Sequence, residues 1–435
     1  MLIALLPALN SCKKETVDVS QLLATVPSSA GAVVGFNLTS LLEKAGCKVD
    51  GSEITPGADL GKWIDGKSEL NGSQKEALRM FLSGESGIDP AGAILFTDAY
   101  SFYVTAGVAD TPKFMDFVKK QTGSDFEEPE SGVKTCGNVA LCGAQMWISL
   151  SSGSIDAKAV KNYSELDEAQ SMLSHDLSKE IASMADDIVG WGQIKSFLRK
   201  LDIQDQAVIG VVSGMLFEDA SVLSFRFNFL PGQMIGKTVV LNDKGKPAKY
   251  LLPADKIDTA LVENLSQQAG VVAAMSVTKD LVKKIEKLSS SFGGNMFGPV
   301  MSALGSLDGT VALTLTEFGT FDDGVSGAVT TDGNPSRILM QFLSAFGPTK
   351  KEGNVVRVAK GEVMGSLNVA EVSEFLKGST FGFVIAPTDT MGHSTSGIAG
   401  VGVSLVPEKG GITLNIDVKG ADPKENIILT FLKSK

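Results

Sequence analysis

The stretch Ala30-Gly-Ala-Val-Val-Gly-Phe-Asn-Leu-Thr-Ser-Leu-Leu-Glu-Lys44 returns later in the chain as Ala269-Gly-Val-Val-Ala-Ala-Met-Ser-Val-Thr-Lys-Asp-Leu-Val-Lys-Lys284. Each copy is a short apolar run that ends at a threonine, Thr39 or Thr278, ahead of an apolar-periodic segment. An apolar run suits a buried strand, and a threonine before a periodic segment suits a helix N-cap. The repeated order strand, cap, helix therefore marks the start of two repeats. In the echo, Ser276 stands where the first copy has Asn37. What survives is apolarity and a capping hydroxyl, so the stretch reads as scaffold and not as a reactive site.

A second pattern follows each start. Residues 92–96 and 101–105 read as a hairpin, and Asp110-Thr111-Pro112 then opens a helix carrying Phe114, Met115, Phe117 and Val118. Thr111 is the expected cap there, with Pro112 in the first turn, where its missing N–H does no harm. Residues 310–316 and 325–330 repeat the hairpin, and Asn334-Pro335 opens a helix with Ile338, Leu339, Phe342 and Leu343. Residues 401–405 and 412–418 repeat it again, ahead of Asp422-Pro423 and a helix through Ile427, Ile428, Phe431 and Leu432. A fourth hairpin is expected over 208–216 and 221–230. Ser73 and Glu76 have capping-box spacing at the head of an amphipathic helix. Residues 125–131, with Glu127-Glu-Pro-Glu130, read as an exposed acidic loop.

These patterns predict an α+β fold of two tandem duplicated repeats, each an antiparallel sheet of hairpins with helices on one face. The boundaries are 1–18 for a signal and anchor segment, 19–252 for the first repeat and 253–435 for the second. A chain of 435 residues is long enough for more than one core.

The N-terminus carries Leu9-Asn-Ser-Cys12-Lys13 behind the apolar residues 1–9. This resembles a bacterial lipoprotein signal, which implies cleavage before Cys12 and a lipid on its thiol. The lack of a basic segment before the apolar run suggests that Met1 is an internal or trimmed start. Lys13 after the cysteine resembles sorting signals for the outer membrane. With Pro27-Ser-Ser-Ala30 leading into the first strand, the chain resembles a family of Bacteroidetes lipoproteins that carry a domain of unknown function, number forty-eight thirty-six. That resemblance implies a compartment and a layout, and it brings no catalytic residues.

Chemistry is sparse. Net charge is −11, which leaves no electrostatic footprint for nucleic acid. Pro231-Gly-Gln-Met-Ile-Gly-Lys-Thr238 nearly spells a phosphate loop, but proline replaces its first glycine and a strand-like run follows. The chain has two histidines, His175 and His393. A hydrolase would need one of them beside acids and a serine such as Ser394 or Ser396. A carrier of apolar ligands would need a cavity lined by residues such as Phe36, Met275 and Phe297. Cys136 and Cys142 are spaced to bridge a hairpin in an oxidising compartment, which leaves Cys47 free.

The resemblance implies a lipid-anchored envelope protein, and with the duplication and the lack of a catalytic set the expectation is a structural or binding role. It would attach to the outer membrane through Cys12, facing the periplasm or the cell surface, and meet a protein or envelope partner. No catalytic, cofactor or metal site is expected, and enzymatic activity is not the favoured reading. The hydrolase and the apolar carrier are the alternatives.

Overall fold

Asp18 caps α1 (Val19–Ala24), and the opening stretch then forms β1 (Ala32–Phe36) and α2 (Leu38–Lys44). The structure is a computed structural model that describes residues 18–98, 101–151, 153–175, 178–198, 216–291, 303–319, 321, 323–387, 397–408 and 411–433. It is a mixed α+β protein with antiparallel strand pairing, and it divides into two compact units, residues 1–192 and 193–435.

In the first unit a small ribbon, β2 (Lys48–Asp50) and β3 (Glu53–Thr55), precedes α3 (Ala58–Gly66) and α4 (Gly72–Leu82). The expected hairpin is β4 (Ile88–Asp98) with β5 (Ser101–Val108), followed by α5 (Thr111–Thr122). A meander, β6 (Glu127–Glu130), β7 (Val133–Cys136), β8 (Val139–Cys142) and β9 (Gln145–Ser149), brings its last strand back against β5. Then α6 (Ala157–Ser164) and α7 (Ser178–Ala182) lead to β10 (Ile188–Gln193), which pairs with the free side of β1. The strand order is β10-β1-β4-β5-β9-β8-β7-β6.

The second unit opens with α8 (Ile194–Leu198), β11 (Val222–Leu230) and β12 (Gln233–Leu241). After α9 (Thr259–Glu263) and β13 (Gln268–Ala269), the echo of the opening stretch forms β14 (Val271–Val277) and α10 (Lys279–Ser291). The hairpin β15 (Leu307–Leu315) and β16 (Val325–Thr331) is followed by α11 (Arg337–Ser344). Next come β17 (Thr349–Glu352), β18 (Val355–Lys360), β19 (Leu367–Asn368), α12 (Val369–Leu376) and β20 (Phe381–Ile385). The hairpin β21 (Ile398–Glu408) and β22 (Gly411–Gly420) and then α13 (Ile427–Lys433) complete the unit. The order is β11-β12-β22-β21-β20-β14-β15-β16-β18-β17.

Several expectations shift. The compact units, 1–192 and 193–435, are a different division from the repeats expected on either side of residue 252, and β12 pairs with β22 along seven positions, from Gln233↔Lys419 to Val239↔Thr413. That pairing holds the β11–β12 hairpin in the second unit. The fourth hairpin is β11 with β12, and residues 208–215 lie outside the described residues. The phosphate-loop look-alike starts at the turn of that hairpin, residues 231–232, and runs on into strand β12. The acidic loop contains an edge strand, β6, exposed throughout. Charge and Pro129 on an edge discourage pairing with another chain.

Helices cover both sheet faces, not one. In the second unit α12 packs with Val272, Ala274 and Ala312, whereas α11 packs with Val277, Val311 and Val329. Neighbouring residues on a strand point to opposite faces, so Val311 and Ala312 separate the two layers. In the first unit Ala106 meets α5, and on the other face Phe96 and Tyr103 meet Tyr163 of α6, with ring centroids 5.6 and 5.5 Å away.

The expected caps are of the right kind and misplaced by one to four residues. Asn37, not Thr39, caps α2 by accepting from the Ser40 amide at 3.0 Å. Thr39 Oγ1 instead donates to the Pro90 carbonyl. Asn is the stronger cap, and it stands directly at the strand end. Thr278 does accept from the Leu281 amide at 3.4 Å. The capping box is Asn71 with Gln74, not Ser73 with Glu76. Asp110, Ser336 and Asn426 cap where Thr111, Asn334 and Asp422 were expected. A residue before proline is held extended, so after Asn334-Pro335 and Asp422-Pro423 the helix starts later.

Tyr163 donates to Asp98 Oδ2 at 2.5 Å. Burial first, and then that carboxylate, pushes its phenol above the ordinary value. A group whose folded pKa is raised contributes stability that is complete below the unfolded value, about 10 for tyrosine, and is lost as pH rises past it. Alkaline titration followed by tyrosinate absorbance should therefore show Tyr163 ionising only as the first unit unfolds. Ionisation of all four tyrosines without loss of circular dichroism would contradict this.

Candidate interaction surface

Helix α11 has two apolar stripes. Leu339 and Leu343 are buried and pack with Val329, Val356 and Val358 of the sheet. Ile338 and Phe342, also four residues apart, face outward and are exposed. A helix on a sheet normally turns a polar face to solvent, so the second stripe has no role in the core.

The stripe continues beyond the helix. Phe346 packs edge-on against Phe342 at 5.1 Å and 70°, and against Phe321 at 5.4 Å and 66°. Phe346 also reaches the buried cluster of Val271, Leu315 and Val325, so the surface rings rest on a fixed base. Phe321 and Phe318 lie in the connection between β15 and β16. Its neck is closed by Thr316: the Thr316 amide donates to the Gly324 carbonyl at 3.0 Å, and Thr316 Oγ1 accepts from the Met364 amide at 3.1 Å. Gly324 has φ 69° and lies against the Thr316 side chain, a place for a residue with no Cβ. Phe318 is 63% exposed, Phe342 58% and Met364 61%. Asp323, Lys360 and Glu362 are exposed alongside. The result is an apolar surface with a charged rim, of the kind that marks an interaction site.

The residues singled out in sequence lie elsewhere. Cys12 is outside the described residues, as are His393, Ser394, Ser396 and Phe297. His175 stacks on Trp191 with centroids 5.0 Å apart and rings inclined by 7°. Phe36 is half-buried on β1, and Met275 is exposed on β14. Among the described residues no group of three His, Cys, Asp or Glu is placed to hold a metal ion.

The expected Cys136–Cys142 bridge does not form; both are free thiols, as is Cys47. In the β7–β8 register Cys136 faces Val139 and Cys142 faces Val133. The two cysteines are thus three positions apart along the ladder, about 10 Å, beyond the roughly 7 Å that a disulfide spans. Cys136 is instead within 3.2 Å of Thr122 Oγ1. Burial pushes the Cys47 thiol above its ordinary value. Thiol titration of the native protein should find Cys142 reacting first and Cys47 and Cys136 reacting on unfolding. A Cys136–Cys142 peptide recovered without reduction would overturn the register.

Two hollows flank α12 in the second unit. One is a cleft of about 120 Å³ bounded by α12 and strands β20 to β22. The other is a broad, open depression of about 630 Å³ formed by residues 263–268 with Asn368 and Ala370.

The aromatic surface was within reach of the sequence. Thr316-Glu-Phe-Gly-Thr-Phe-Asp-Asp-Gly324 places two phenylalanines in a turn otherwise built of polar residues and glycine, and such rings have no core to enter.

No protein-family profile matches the chain, and no characterised protein matches it in sequence. Among solved structures it is similar to crystal forms of TP0453. Form III is 8% identical with a TM-score of 0.30 over 81% of this chain and 96% of that chain. Form I is 8% identical with a TM-score of 0.29 over 81% and 95%. Form IV is 9% identical with a TM-score of 0.31 over 50% and 79%. At such scores the likeness carries no argument about fold or function.

Proposed function

We propose that this is a lipid-anchored binding protein of the bacterial cell envelope, built of two tandem α+β repeats, that holds a protein partner on the aromatic surface of α11. The observation that carries the reading is the outward stripe Ile338–Phe342, extended by Phe346, Phe321 and Phe318. Exposed rings seated on a rigid base lose little entropy on binding and supply large apolar area. Cys12, behind its apolar segment, would carry the lipid and attach the chain to the outer membrane.

Strand order supports the tandem repeat. β1 and β14 each lie between a hairpin strand on one side and a later strand on the other: β4 and β10 for β1, β15 and β20 for β14. Each is followed by a helix, a hairpin and a further helix, with β2–β3, α3 and α4 interposed in the first copy, and then by a meander or hairpin whose last strand returns to the outer side of the first hairpin: β9 on β5, and β18 on β16. A long hairpin then follows β10 and β20, namely β11–β12 and β21–β22. On this reading the repeats are 19–252 and 253–435, and β12 of the first pairs with β22 of the second.

The test is photo-crosslinking from position 342 in intact envelopes, with a second crosslinker at exposed Lys62 on α3 as control. One discrete adduct from position 342, absent from position 62, is expected. Identical adduct patterns from both positions would remove the reading. Labelling with a palmitate analogue, lost in Cys12→Ala, tests the anchor separately.

A further inference from the structure

We propose that the cleft beside α12 binds an aliphatic ammonium group with Asp417 as its counter-ion, a property independent of the aromatic surface. The floor is Val384 of β20 and Gly400 and Gly402 of β21, and Gly402 faces Asp417 of β22 across the ladder. The wall is Leu367 with Val372 and Phe375 of α12. A Cβ on Gly402 would stand 3.0 Å from the Phe375 ring, so glycine lets the helix lie close and keeps the cleft narrow.

Asp417 is 9% exposed. Gln233 Nε2 donates to its Oδ1 at 2.8 Å, no described residue donates to Oδ2, and Asp417 is one of the residues that line the cleft. No cation among them lies within ion-pair distance of this carboxylate. A buried carboxylate without a cation is costly, and a ligand that supplies one recovers that cost. The nearest internal candidate is Lys419, two residues along the same face, and it is turned away: its Nζ pairs with Glu371 Oε2 at 3.6 Å, on the rim. Glu371 therefore keeps Lys419 off Asp417 and leaves the site open.

The lining selects the kind of cation. A hard metal ion seeks six or more oxygens, and here the lining has two carboxylates, Asp417 and the Glu371 that is paired with Lys419, beside Leu367, Val372, Phe375, Val384 and Ala399. That suits an ammonium head on a short alkyl chain, with the methylenes on the apolar wall. The space, about 120 Å³, exceeds the roughly 10–15 Å³ that one water needs. Two sources share this chemistry: a free amine, or a lysine side chain of a bound protein.

Calorimetric titration of the full chain at low ionic strength tests the site with two probes, n-butylammonium and Nα-acetyl-lysine N-methylamide. Saturable binding is expected, with n-butanol silent. Asp417→Asn keeps an oxygen for Gln233 and should bind at least about tenfold more weakly, the loss of one charge-assisted contact. Lys419→Met removes the internal competitor and should bind more tightly. Glu371→Gln releases Lys419 towards Asp417 and should bind more weakly. Tighter binding of the lysine probe assigns the site to a protein side chain, and tighter binding of butylammonium assigns it to a free amine. Absence of saturation by either probe, or unchanged affinity in Asp417→Asn together with unchanged affinity in Lys419→Met, would overturn the proposal.

Discussion

Replacing Lys44 by methionine is expected to destabilise the first unit by about 3 kcal/mol, one of the largest effects of any single polar substitution in it. Lys44 Nζ lies 2.6 Å from both oxygens of Asp187, whose side chain is 1% exposed. Ser40 Oγ donates to the same carboxylate at 2.6 Å. The Asp187 carbonyl accepts from the Asn37 amide, and Asn37 Nδ2 donates to the Met184 carbonyl, each at 2.9 Å. One turn and a half of α2 is thereby tied to the segment that enters β10. Methionine keeps the length and the apolar stem of the lysine, so packing is preserved and the measured loss is that of the ammonium facing a buried carboxylate. The double variant Lys44→Met, Asp187→Leu removes both charges. It should recover most of the loss, since a buried pair replaced by apolar residues of similar size is close to neutral. Urea unfolding of the three proteins checks this. A loss below about 0.5 kcal/mol in Lys44→Met, the range of an exposed pair, would show that the pair is solvated.

The same residues show how far the sequence could be read. The quoted stretch ends at Lys44, and its strand and helix follow from apolar periodicity. Asp187 lies far along the chain in Met184-Ala-Asp-Asp187, where two adjacent carboxylates give no sign of which one is buried. Hairpins were legible because alternation and turn residues are local signals. The chemistry of the caps was legible and their positions were not, because neighbouring Asn, Asp, Ser and Thr compete and the winner depends on where the preceding strand or proline step ends. The two-sided covering of the sheet was hidden for a different reason. Val311 and Ala312 are both apolar, so no alternation of polarity marks a solvent face. Asp417 reads in Leu414-Asn-Ile-Asp417 as the polar side of an ordinary hairpin strand, and only the arrival of α12 encloses it. The disulfide expectation rested on spacing and failed on register: six residues round a tight hairpin put two cysteines three rungs apart, not opposite.

Phe342→Ser is expected to lower partner affinity about 30-fold, equivalent to about 2 kcal/mol, the threshold of an interface hot spot, while leaving the unfolding midpoint unchanged or slightly raised. Its neighbour Leu343→Ser should do the reverse. Leu343 is buried among Val329, Val356 and Val358, so a hydroxyl there leaves a cavity and an unsatisfied polar group and costs several kcal/mol. The two positions share one helix turn and both exchange a large apolar side chain for a hydroxyl, and they stand on different faces of the helix. Phe321→Ser should behave like Phe342→Ser, because both rings rest on Phe346. Phe346→Ser should combine both losses, since Phe346 joins the surface rings to two buried clusters. Thermal unfolding and crosslink yield, measured on all four variants, separate stability from binding. If Phe342→Ser unfolds as readily as Leu343→Ser, the outer stripe belongs to the packing of the unit and not to a partner. If it lowers neither quantity, the rings are bystanders and the binding reading of α11 fails.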